Sequence, residues 1–235
     1  MGTDVFSTRP WLLLPGTLCT RAVFDGFLDA LGVAESQRRY VTLDRHAIDE
    51  YRAEFQRLAP GTIVCGFSLG AIVAAHCADV MTAERLILFG LNPYPDNPDK
   101  EPSRRELAQD VTARGGAAAL KERLPDVFGP RPEATRAQIC QMAEETSHLI
   151  EAQTDLALRR PGALGALAQA KMPVLSVTGS NDHAAPPLQG AGAALCAPDG
   201  QFHALDGLGH FALMEDPKAC ADVVQNWYEP RHEYA

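Results

Sequence analysis

The pentapeptide Gly66-Phe67-Ser68-Leu69-Gly70 follows the apolar run Thr62-Ile63-Val64-Cys65 and precedes Ala71-Ile72-Val73-Ala74-Ala75. An unbroken apolar run of that length reads as a strand buried on both faces, and the alanine-rich run after it as a helix. Ser68 therefore stands at the apex of a strand-to-helix turn. Such a turn holds its central residue in a strained backbone conformation, and strand and helix approach each other only if the residues two before and two after it are small. Gly66 and Gly70 meet that demand. The first N–H groups of the new helix have no partner within the helix and point at the space above Ser68, where the oxyanion of an acyl transfer would form. Gly-X-Ser-X-Gly alone arises by chance in a chain rich in alanine and glycine; its flanks are what give it weight.

Apolar runs elsewhere extend the pattern. Short strands are expected over 11–14, 40–43, 85–90, 173–179 and 201–205, with helices over 22–31, 48–58 and 217–228. Strands that alternate with helices and are apolar on both faces imply a parallel sheet covered by helices on each side, an α/β architecture of about six strands. Residues 92–170 break the rhythm, being rich in charge, proline and helix-formers without a strand-like run. A stretch that long is not a plain loop. It is expected to be a helical cap inserted into a core formed by 1–91 and 171–235, the whole making one structural domain.

At 235 residues the chain suits a single core, and 46% hydrophobic with 22% charged residues excludes a largely disordered protein. The net charge of −9 and the lack of a basic stretch exclude a general nucleic-acid binder. Cysteines 19, 65, 77, 140, 196 and 220 form no Cys-X-X-Cys pair and no Cys/His cluster, so neither a structural metal nor a disulfide framework is expected. No leader-like segment opens the sequence and no stretch is long and apolar enough to span a bilayer, which makes the cytoplasm the expected location, with no membrane partner.

A serine hydroxyl needs a base, and histidine is the usual one. His210 lies in Gly207-Leu208-Gly209-His210-Phe211, between the last strand and the last helix, and in a parallel sheet that loop opens at the same carboxyl edge as Ser68. His76 and His148 fall in helical stretches, His203 in a strand, and His46 and His232 lack a matching context; His183, in another strand-end loop, is the competitor. The base needs an acid to fix its tautomer. Asp182, in Gly179-Ser180-Asn181-Asp182-His183 directly after a strand, fits that role or is a plain turn residue. The order Ser68, Asp182, His210 is that of an elbow-serine triad. Two N–H donors would hold the oxyanion: that of Leu69, after the nucleophile, and one from Pro15-Gly16-Thr17-Leu18-Cys19, with Thr17 favoured and Leu18 the alternative.

Leu-Leu-Leu-Pro-Gly-Thr-Leu-Cys at 12–19, Gly-Phe-Ser-Leu-Gly at 66–70, Thr-Gly-Ser-Asn-Asp at 178–182 and Gly-His-Phe-Ala-Leu-Met-Glu-Asp-Pro at 209–217 together resemble the α/β-hydrolase superfamily. Within it the chain is similar to small single-cap members related to pimeloyl-carrier-protein methyl esterases, enol-lactonases and the menaquinone-pathway enzyme of the same fold. The resemblance implies a serine mechanism without metal or cofactor, on a shortened sheet that lacks the two strands with which the family commonly begins. Pro15 stands where the family usually has histidine in the oxyanion loop. The expected activity is hydrolysis of a small or medium acyl ester, thioester or lactone, by a monomer or homodimer, with a carrier-protein-bound substrate as one option. A ligand-binding receptor, or a cofactor-free lyase using Ser68 and His210 without an acyl-enzyme, is the alternative. Phe67 and Phe211 are expected at an apolar substrate entrance or in the core. Arg104-Arg105 and Arg159-Arg160 read as solvated cap surface, or as binders of a substrate carboxylate or carrier phosphate.

Overall fold

The computed structural model describes residues 4–228. Six strands, β1 (Trp11–Leu14), β2 (Arg38–Tyr40), β3 (Ile63–Phe67), β4 (Arg85–Phe89), β5 (Val174–Gly179) and β6 (Gly200–Leu205), form one sheet in the order β2-β1-β3-β4-β5-β6. Every neighbouring pair is parallel. Before β4 the helices are α1 (Asp4–Ser7), α2 (Ala22–Ala30), α3 (Arg52–Gln56) and α4 (Leu69–His76). Between β4 and β5 come α5 (Glu101–Arg114), α6 (Gly116–Lys121), α7 (Pro132–Glu145), α8 (Ile150–Arg159) and α9 (Leu164–Leu167). The last three are α10 (Pro187–Cys196), α11 (Ala212–Glu215) and α12 (Pro217–Tyr228).

Alternation along the strands sorts the core into two layers. Leu12, Leu14, Val64, Leu86 and Leu88 face α4, whereas Trp11, Leu13, Ile63, Cys65, Phe67, Ile87 and Phe89 face α2 and α12. Inner strands β1, β3 and β5 are buried along their whole length; the edge strands β2 and β6 carry the polar residues. All eight residues of α4 are buried, because α8 and α9 cover the side of it that the sheet leaves open.

Two expectations shift. The second strand occupies Arg38–Tyr40 in place of 40–43: register pairing with β1 stops at Tyr40, Val41 adds one last bond from its amide to Leu13 O at 2.9 Å, and Val41 and Leu43 bury their side chains in the α4 layer. The helix expected over 48–58 begins as a 3-10 turn at Ile48–Tyr51, becomes α3, and ends at Gln56.

Among the described residues the segment between β4 and β5 contains helices and no strand. Its small cluster of Val111, Ala119, Ala143 and Ile150 closes around Leu18, a residue of the loop after β1. No helix among the described residues is long and apolar enough to cross a membrane.

Candidate active site

Parallel pairing sets the carboxyl ends of the central strands side by side: Leu14 is level with Gly66, and Phe67 with Phe89. The residues that follow those ends, Pro15 to Leu18, Ser68 and Gly90, therefore meet at one edge of the sheet. Ser68 has φ 51° and ψ −115°, and its amide donates to Phe89 O at 2.9 Å. Only Ser68 and Leu18 among the described non-glycine residues have positive φ, a conformation with a cost of about 1–3 kcal/mol that the surroundings must over-determine. The flanking glycines do this. A Cβ on Gly66 would lie 2.6 Å from Ala71 Cα, and one on Gly70 would lie 2.0 Å from Leu14 O.

His210 Nε2 lies 3.1 Å from Ser68 Oγ, and His210 Nδ1 lies 2.8 Å from Asp182 Oδ2. Asp182 is fully buried; its other oxygen, Oδ1, accepts from the amides of Ala184 and Ala185, both at 2.8 Å. With Oδ2 as acceptor the proton sits on Nδ1, which leaves Nε2 free to take the proton of Ser68. Gly90, with φ +59°, follows β4 at the point where a Cβ would come within 3.1 Å of His210 Cε1 and 3.5 Å of Asp182 Oδ2. That position holds no acid, so the carboxylate beside the imidazole comes from the end of β5.

The rival histidines lie elsewhere. His76 Nδ1 donates to Ile72 O at 2.7 Å and its Nε2 accepts from Gly162 at 3.1 Å; burial holds its pKa below the usual value, and both nitrogens are occupied. His183, His148 and His203 are exposed, and His46 pairs with Asp155 at the surface. His232 lies outside the described residues. Cys19, in the loop facing Ser68, is no rival nucleophile, because burial pushes its thiol up to about 12.

The loop after β1 separates the two proposed donors. Leu18 donates its amide to Gln153 Oε1 at 2.9 Å, and its side chain is the plug of the helical cluster described above. Thr17 lines the cavity at Ser68 together with Leu69, and its amide has no partner among the described residues. Of the two amides, that of Leu18 is thus committed to Gln153 and that of Thr17 is not.

Phe67 and Phe211 do not line that cavity. They are buried and pack on the imidazole of His210, with ring centroids 5.2 and 5.6 Å away and 5.3 Å from each other, so the three rings form one mutually packed cluster. The arginine pairs are each split. Arg105 and Arg159 face outward, to Glu101 and Asp155, while Arg104 and Arg160 turn inward to Asp96. Among the described residues no group of His, Cys, Asp or Glu has the arrangement to hold a metal ion.

Glu215, in segment 209–217, carries no sign of its role in the sequence. Its buried carboxylate accepts from the amides of Gly209 at 2.7 Å and Phe211 at 3.1 Å, the two residues flanking His210. Burial raises its pKa; the backbone donors oppose that rise. Glu215→Gln sets an NH2 against an N–H, and is expected to lower stability by about 2 kcal/mol and kcat on a short ester by about tenfold or more as the imidazole loses its seat. A thermal melt with steady-state kinetics checks this; unchanged values for both would show that the loop holds His210 unaided.

The alpha/beta hydrolase family profile matches residues 6–223 of the sequence. The chain belongs to the alpha/beta hydrolase family. A search among curated proteins finds no match. Among solved structures this alpha/beta hydrolase is similar to an esterase of Thermogutta terrifontis, solved with malate bound, at TM-score 0.75 and 21% identity over 94% of this chain and 89% of that one. It is similar to the enol-lactonase of Burkholderia xenovorans LB400 at TM-score 0.73 and 18% identity, over 94% of this chain and 90% of that one. It is also similar to MenH of S. aureus at TM-score 0.77 and 15% identity, covering 97% and 96%. Likenesses at such identities speak for the fold.

Proposed function

We propose that this alpha/beta hydrolase is a serine hydrolase that cleaves a small ester, thioester or lactone through an acyl-enzyme on Ser68, with residues 92–170 acting as the cap over the site. The observation that carries the reading is the chain of contacts from Ser68 Oγ to His210 Nε2 and from His210 Nδ1 to buried Asp182.

In this mechanism His210 Nε2 takes the proton of Ser68 as Oγ attacks the carbonyl carbon, and the carbonyl oxygen becomes an oxyanion held by the amides of Thr17 and Leu69. Asp182 stabilises the imidazolium without taking its proton. Collapse of the intermediate expels the alcohol or thiol, which leaves with the proton from His210. Water then attacks the acyl-enzyme, gives its proton to His210 and releases the acid, restoring Ser68.

A fluorophosphonate probe tests the nucleophile directly. It should add one phosphonyl group to the intact protein, and peptide mass spectrometry should find that group on Ser68. Labelling of another residue, or none at probe concentrations that saturate a known serine esterase, would overturn the assignment.

A further inference from the structure

The cavity above Ser68 is small, about 110 Å³ against the roughly 300–1,000 Å³ of common ligand clefts. Its wall includes Lys100, Arg104 and Arg160 together with Ser68, Thr17 and His210, and no carboxylate residue. In a chain of net charge −9, three cations facing so small a space run against the background.

Asp96, behind the wall, satisfies only part of that charge. Arg104 gives it Nε at 2.6 Å and Nη2 at 2.8 Å, and Arg160 gives it Nη2 at 2.7 Å. Arg160 sends its Nε to Tyr94 O and Nη1 to Ala157 O. A guanidinium carries five N–H donors, so both arginines keep N–H groups beyond these bonds. Lys100 has no acidic partner among the described residues. One carboxylate against two guanidiniums and an ammonium leaves an excess of two positive charges. The side chain of Arg160 is 1% exposed. Burying a guanidinium is expensive, and a hydrophobic residue would pack such a wall at lower cost. The bonds from Asp96 orient both guanidinium forks, which is the preparation that paired recognition of a carboxylate requires.

We infer that the cavity selects a short ester carrying a free carboxylate, seated against Lys100, Arg104 and Arg160 while the ester carbonyl lies at Ser68. The placement of the ester rests on the serine-hydrolase reading above; the seat for the carboxylate does not.

Binding tests the seat separately from turnover. Monomethyl succinate and its neutral amide counterpart, methyl succinamate, differ only in the charge of one end. Calorimetric titration of the Ser68→Ala protein should show the acid binding at least about tenfold tighter than the amide, or 1.4 kcal/mol. Arg104→Gln and Lys100→Gln, each placed in the Ser68→Ala background, should remove most of that preference by weakening the acid far more than the amide. Equal binding of acid and amide would overturn the inference, as would a preference that survives both substitutions. Tighter binding of methyl 3-phosphonopropionate than of the succinate half-ester would overturn the choice of carboxylate in favour of a phosphate-like group. In the wild-type protein the preference should appear in kcat/KM mainly through KM. If Ser68 fails to label with fluorophosphonate while the binding preference stands, the mechanism falls and the anion seat remains. The opposite pair of results removes the seat and keeps the nucleophile.

Discussion

Ser68→Ala is expected to lower kcat on a short p-nitrophenyl ester by about 10⁶-fold while the thermal midpoint stays close to that of the wild type. The size of the loss follows from how the three groups depend on each other. In the proposed mechanism no acyl-enzyme forms without Oγ, and what would be left of the catalysis is oxyanion stabilisation by the Thr17 and Leu69 amides acting on an attacking water. His210→Ala alone should cost about as much, and the Ser68→Ala/His210→Ala double variant little more than either, because removing one member idles the other. Asp182→Asn should cost about 10⁴-fold. An NH2 group facing Nδ1 would favour the tautomer with its proton on Nε2, which then cannot accept from Ser68. Additive losses in the double variant would mean that serine and histidine act in separate steps, and turnover within tenfold of the wild type for Ser68→Ala would remove the nucleophile. Folding should hardly respond, since the hydrogen bond lost among the described residues is the one between Ser68 Oγ and His210 Nε2.

What the sequence made legible was the part of the site written in local chemistry. Asp182 and His210 each fall a few residues beyond an apolar strand, and a parallel sheet brings all such positions to one edge whatever the rest of the chain does. The parts that stayed hidden depend on contacts between distant residues. Nothing near Leu18 shows that its amide belongs to Gln153, 135 positions later, and so nothing chooses between Thr17 and Leu18 as donor. The same holds for Arg104-Arg105 and Arg159-Arg160: each is a doublet in the sequence, yet one member turns to Asp96 and the other to solvent, in the first because consecutive helical residues point about 100° apart and in the second because α8 ends at Arg159 and Arg160 continues in extended backbone. Phe67 and Phe211 look like entrance residues since they adjoin the reactive ones; burial against the imidazole is a matter of packing that adjacency does not reveal. The misplaced second strand has a similar origin. Val41 and Leu43 are as apolar as strand residues, but their burial comes from the α4 layer, beyond the point where register pairing with β1 stops.

Gly70→Ala is expected to damage the fold severely, although it replaces glycine by the best helix former within a helix. Helix propensity alone would award it about 1 kcal/mol of added stability. The added Cβ, however, would stand 2.0 Å from Leu14 O and 2.6 Å from Pro15 O, and both contacts are backbone atoms that no rotamer change can move aside. To make room, either α4 must lift from β1, opening the layer that holds Leu12, Leu14 and Leu69, or β1 must give up its pairing with β3. Each route breaks packing in the centre of the sheet, so the loss should exceed about 4 kcal/mol, enough to lower the thermal midpoint of a chain of this size by at least about 8 °C. The loop that carries Thr17 starts from the same two carbonyls, so soluble Gly70→Ala protein should also lose the proposed activity on a short ester. Gly165→Ala separates this clash from any general intolerance of side chains at helical glycines. It lies in α9 with nothing within 4 Å of its added Cβ, and should be neutral or more stable by about 0.5 kcal/mol. A melt of the two variants beside the wild type gives the comparison. Equal midpoints for Gly70→Ala and Gly165→Ala would mean that the close approach of α4 to β1 does not set the position of Ser68.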